Sequence, residues 1–138
     1  QTIIERLEAL TASRPGTRLV RSLGDEVYAS LLREVDVMVG NSSSGIIEAP
    51  SFGLPVVNIG SRQRGRLRGA NVIDAGYGRD EILDGLRRAL EPGFRAGLAG
   101  LVNPYGDGQA APRIVEILRD VELGPRLIQK RFADAPPA

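Results

Sequence analysis

The chain has 138 residues, 42% of them apolar and 25% charged, with a net charge of +1 and neither cysteine nor histidine. This profile fits one globular domain with a core; it excludes a disulfide scaffold, thiolate chemistry and histidine acid–base catalysis, and it gives no bulk electrostatic reason to bind nucleic acid or an anionic membrane. No stretch nears the roughly 18 apolar residues of a membrane span and no signal peptide is visible, so a cytoplasmic protein is expected.

In chain order, residues 2–12 carry apolar side chains at 3, 4, 7 and 10, the spacing of an amphipathic helix. Arg14-Pro15-Gly16 breaks it. Residues 17–23 read as a short strand. Asp25 is placed to cap a helix running to about Glu34, with Val27, Tyr28, Leu31 and Leu32 on one face. Residues 35–39 read as a buried strand, and 44 to about 52 as a helix that ends at Gly53. A second apolar strand spans 54–59, followed by an arginine-rich loop over 60–69. A short strand over 71–73 and a helix over 79–90 come next. Residues 91–108 read mostly as loop, 109–121 as a helix with Pro112 in its first turn, and a short helix follows Pro125. Residues 133–138 read as a frayed tail.

Strands alternating with helices imply βαβ units, hence a parallel sheet with helices on both faces in three layers. Ligands of such sheets bind beyond the carboxyl ends of the strands. Gly40-Asn41-Ser42-Ser43-Ser44-Gly45 lies at one such end, where a strand passes through a Gly/Ser turn into a helix. The first amides of a helix lack intrahelical partners and favour an anion, and the serines add hydroxyl donors. Phosphate, in particular a nucleotide diphosphate, fits this chemistry. A serine also commonly caps a helix, but a cap needs only one of them.

Glu48 stands one turn further on, on the face of Ser44. It can accept both hydroxyls of a ribose, or merely offset the positive helix terminus. Arg62 follows the next strand and Gly60, within reach of the same ligand, and arginine suits bidentate phosphate contacts. Arg64 comes next, while Arg66 and Arg68 read as a solvated loop. Tyr105-Gly106-Asp107-Gly108 reads as a structural turn before a helix rather than a second anion contact. Without histidine, catalysis would fall to carboxylates, tyrosines or Lys130. The simpler reading is that these residues bind and that the chemistry sits elsewhere, with no catalytic residue, metal or cofactor assigned.

The run GNSSSGIIEAPSFGLPVVNIGSRQRGR, Gly40 to Arg66, resembles the hydrolysing UDP-N-acetylglucosamine 2-epimerases, as does YGDGQAAPRIVEIL, Tyr105 to Leu118. Non-hydrolysing 2-epimerases carry an SGG-type motif and a following QEE instead. The resemblance implies an incomplete C-terminal half of a protein with two Rossmann-like domains, similar to GT-B glycosyltransferases. It implies that Ser42, Ser43 and Gly45 belong to the turn that holds the UDP diphosphate, that Glu48 holds the ribose and Arg62 contacts UDP, and that Leu23 and Tyr28 lie at the uracil. It also implies catalytic carboxylates in an N-terminal domain and a functional histidine, both outside these residues. The expected division is a UDP-binding domain over 1–124, with a short helix and tail over 125–138. The expected partners are UDP, a UDP-amino sugar, the N-terminal domain and further copies of the chain. Two alternatives stand beside this: a nucleotide-sugar glycosyltransferase domain and a non-catalytic nucleotide-binding module.

Overall fold

The computed structural model describes residues 2–129. Three apolar runs form a sheet of parallel strands, β1 (Met38–Gly40), β2 (Val56–Ile59) and β3 (Val72–Ala75), in that spatial order. Met38 to Gly40 pair with Val56 to Asn58, and Val56 to Ile59 pair with Val72 to Ala75. The central β2 is buried through Val56, Val57 and Asn58. Successive side chains of a strand point to opposite faces, and the core divides accordingly. Val56 packs with Leu32, Ala49 and Leu54, whereas Val57 packs with Ile73, Ala75 and Ala89.

On the Val56 side lie α2 (Gly24–Glu34), which contributes Leu32, and a 3-10 turn (Ala49–Phe52). On the Val57 side lie α4 (Arg79–Ala89), which contributes Ile82, Leu86 and Ala89, and Phe94 of α5 (Pro92–Ala96). The result is the expected three-layer arrangement of helix, parallel sheet and helix. Its close contacts require glycine. A Cβ on Gly45, in α3 (Ser44–Ile47), would lie 2.8 Å from Val56 Cγ1.

Several elements depart from the expected bounds. Residues 17–23 form no strand: Leu19 and Val20 are exposed, and Thr17 instead closes the turn after α1 (Thr2–Ser13), its N–H and hydroxyl both donating to Arg14 O. Helix α2 begins at Gly24, so Asp25 sits inside its first turn, and the N-cap Leu23 provides no side-chain bond. The first strand covers only 38–40, and Asp36 before it pairs at the surface with Arg95 at 2.9 Å. The helix expected over 44–52 is split into α3 and the 3-10 turn. Pro50 has no N–H for a helical bond, and Gly53 closes the turn at φ 57°. The passage from β2 to β3 is made by turns without a helix, as the loop expected over 60–69 requires. Residues 91–108 contain α5.

The chain divides into two compact units at Pro104 and Tyr105. The second contains α6 (Ala110–Asp120), with Pro112 in its first turn as expected, and α7 (Pro125–Ile128). Asp107 closes the turn before α6. It accepts the Gln109 N–H at 3.0 Å and a forked pair of bonds from Arg113 at 3.0 and 2.6 Å. The tail at 133–138 and Lys130 lie outside the described residues. No described helix is long and apolar enough to cross a membrane.

Candidate functional site

The carboxyl ends of the three strands open into the serine turn after β1, the arginine loop after β2 and Gly76-Tyr77-Gly78 after β3. These are the segments that parallel-sheet geometry makes available to a ligand.

The serine turn separates its three hydroxyls. Ser43 is the N-cap of α3 but makes no side-chain cap bond. Ser42 Oγ accepts the Ser44 N–H at 3.3 Å. Ser44 is spent internally: its hydroxyl donates to Glu48 Oε2 and lies 2.6 Å from Tyr28 Oη. The i, i+4 spacing that puts Ser44 and Glu48 on one helical face therefore becomes a hydrogen bond. Tyr28, Ser44 and Glu48 form one chain of polar groups joining α2 to α3. Gly45 is buried, and packing against Val56 accounts for its missing side chain.

Leu23 and Tyr28 come together along one cavity of about 320 Å³, shared with Val20, Arg21, Ser22 and Asp25. Its wall is the N-terminal end of α2, and Tyr28 connects it to the serine turn. Arg62 is exposed and makes no hydrogen bond or ion pair among the described residues.

The arginine loop is more ordered than its composition suggests. Gln63 is 2% exposed, and its Nε2 donates to Asn41 O at 2.8 Å, tying the loop to the serine turn. Arg68 is not a solvated side chain. It pairs with Asp74 on β3 and donates to Gln63 O at 2.8 Å. Asp74 also accepts from the buried Asn58 Nδ2 at 2.7 Å. At the loop's start the Ser61 N–H donates to Tyr77 Oη at 3.2 Å. Bonding to the Ser61 hydroxyl and then to its amide, with Arg64 adding a smaller pull, draws the Tyr77 phenol below its ordinary value of 10.0. A Cβ on Gly60 would meet the ring end of Tyr77 and displace it, and the backbone there, at φ 77°, favours glycine. A cavity of about 440 Å³ opens beside Ser61, Arg64, Arg68, Asp74 and Tyr77.

Sequence reasoning missed Gln63 and Tyr77, counted Ser44 as one of three free donors and read Arg68 as solvated. Only Gln63 carried a signal, as a lone amide between two arginines. Polar groups that a loop buries do not stand out by residue type.

Residues 1–119 match the family model described as UDP-N-acetylglucosamine 2-epimerase. Over 117 residues the chain is 44% identical to the UDP-N,N'-diacetylbacillosamine 2-epimerase (hydrolyzing) of Legionella pneumophila, covering 84% of this chain and 30% of that protein. It is 34% identical over 119 residues to the polysialic acid biosynthesis protein P7 of Escherichia coli, covering 86% and 30%. The chain thus spans about 30% of the length of these curated relatives. The crystal structure of UDP-GlcNAc 2-epimerase from Neisseria meningitidis bound to UDP-GlcNAc superposes with a TM-score of 0.70 at 22% identity, covering 87% of this chain and 34% of that one. At that identity the likeness speaks for the fold.

Proposed function

The chain belongs to the UDP-N-acetylglucosamine 2-epimerase family, and from that premise we propose that it is the UDP-binding part of a hydrolysing 2-epimerase. The substrate is UDP-N-acetylglucosamine or a related UDP-diacetamido sugar, and the products are UDP and the free 2-epimerised amino sugar, a precursor of sialic-acid-like nonulosonates. Support comes from the relatives' names and from one observation: the Tyr28–Ser44–Glu48 chain joins the cavity at α2 to the serine turn at the strand ends. A nucleoside diphosphate has the same order of parts, with base, ribose and phosphates in line.

In this reading uracil lies against Leu23 and Tyr28. Glu48 accepts from the ribose, and Ser42, Ser43 and Arg62 receive the diphosphate beside the Gly45 backbone. UDP leaves C1 as a proton leaves C2, giving a glycal. Water then adds across the double bond, with the C2 proton returning on the opposite face. Donors aimed at the leaving diphosphate stabilise the charge it gains as the C1–O bond breaks. Closure of an N-terminal domain over this one would bring carboxylates from outside this chain to the sugar. These 138 residues alone would bind without turning over. We place this chemistry in the cytoplasm and expect the protein to assemble from several copies.

Calorimetric titration with UDP, UMP and pyrophosphate tests the binding site. UDP is expected to bind at least tenfold tighter than either piece. Equal affinity for UDP and pyrophosphate in the full-length protein would overturn the assignment. Product analysis tests the reaction: free amino sugar is expected, and a glycoside would mean transfer to an acceptor instead.

A further inference from the structure

We infer that Gln63 is a positioning residue that holds the serine turn and Arg62 at one fixed spacing; the inference rests on the nucleotide-binding reading above. Gln63 directly follows Arg62, and Asn41 directly precedes Ser42 and Ser43. The Nε2 bond from Gln63 to Asn41 O, 2.8 Å long, therefore ties the two groups of diphosphate donors across 22 residues of chain. Both turns leave different strands, and this bond connects their polar tips directly.

The residues on either side of Arg62 are themselves held. Ser61 N–H is bonded to Tyr77 Oη, and the Gln63 carbonyl accepts from Arg68, which Asp74 holds in turn. The Arg62 side chain stays exposed between two fixed neighbours. Donors that must meet a charged group at a set distance lose effect when either is displaced. Gln63 Oε1 is buried and has no donor among the described residues. Among the described residues the amide's one bond is the bond to the serine turn. Gln63 reaches the ligand only through Asn41 and Arg62, so its effect should appear on the phosphates and not on the base.

The test uses the full-length protein, with UDP and UMP titrated into the unmodified form, Gln63→Leu and Gln63→Glu. Gln63→Leu keeps much of the side-chain volume and removes the donor. It is expected to weaken UDP binding at least tenfold and to shrink the preference for UDP over UMP. Gln63→Glu restores a donor only when its carboxyl is protonated. Its UDP affinity, relative to the unmodified protein at each pH, is expected to recover as pH falls. A folded Gln63→Leu variant that binds UDP within twofold of the unmodified protein overturns the inference, as does an equal loss on UDP and UMP. If Gln63→Leu does not fold, Gln63→Glu decides, and a relative affinity that is flat with pH overturns it. An unmodified protein that binds no UDP removes the nucleotide reading and this inference together, which separates the two failures.

Discussion

At the scale of single residues, chemistry that looks alike in the sequence divides by what each atom already touches. Three adjacent serines suggest three equivalent donors, but the Ser44 hydroxyl is engaged by Tyr28 and Glu48, whereas Ser43 makes no cap bond. Hydrogen bonds to charged groups are worth about 1.5–3 kcal/mol, or about ten- to a hundredfold in affinity. Arg62→Ala and Ser43→Ala are each expected to weaken UDP binding by that order in the full-length protein, as calorimetry would show. Unchanged affinity in both variants would sink the diphosphate assignment. Glu48→Ala should cost UDP more than pyrophosphate, because a ribose contact is absent from pyrophosphate; equal losses would argue against it. Gly45 belongs to packing as well as to the turn. A methyl group 2.8 Å from Val56 Cγ1 overfills the contact between α3 and the sheet. Gly45→Ala is expected to lower stability by about 1–3 kcal/mol in denaturant unfolding. An unchanged midpoint would mean that the helix shifts freely on β2.

At the scale of elements, the parts that could be read from the sequence are those whose cause is local. Apolar runs bounded by glycine and proline gave β2 and α4 to within two residues, because burial on a pleated face or a helical stripe writes a period into the sequence. Residues 17–23 misled because a strand also needs a neighbour, and among the described residues no strand pairs with Leu19 and Val20. The arginine loop misled in the other direction. Its charge suggests solvent, while Arg68 and Gln63 are fastened to β3 and the serine turn by groups distant in sequence. The start of α6 shows a local device with a pH signature. The Arg113 guanidinium, and then the Gln109 amide, hold the Asp107 carboxyl below its ordinary value of 3.8. Since the folded-state value is the lower one, the added stability is present above the unfolded value and is lost as pH falls through the folded one. Carboxylate NMR should show Asp107 titrating below 3.8, with protection of the Gln109 amide lost over the same range. Titration of Asp107 at the ordinary value, or Gln109 protection that persists after protonation, would show that the pairing contributes nothing in solution.

At the scale of the whole molecule, the three-strand sheet has a covered centre and, among the described residues, two edges. β2 is flanked by strands on both edges, and its Val57 is fully buried between the helical layers. β1 pairs only with β2 among the described residues, and Val39 on it is 43% exposed. The site stands on both strands, with the serine turn leaving β1 and the arginine loop leaving β2. The proposed diphosphate subsite would therefore span the central strand and an edge strand, and the contact between Gln63 and Asn41 bridges the turns that follow them. Local opening draws on elements with few buried contacts, while core strands open only with global unfolding. Amide hydrogen exchange of this chain should show Val57 and Asn58 at the slow limit and Val39 exchanging at least tenfold faster. UDP should slow exchange at Asn41 and the serine turn more than at Val57, since a ligand raises the cost of any opening that its binding forbids. If Val39 were as protected as Val57 without ligand, β1 would be covered on its outer edge, and the site would rest on two equally firm strands.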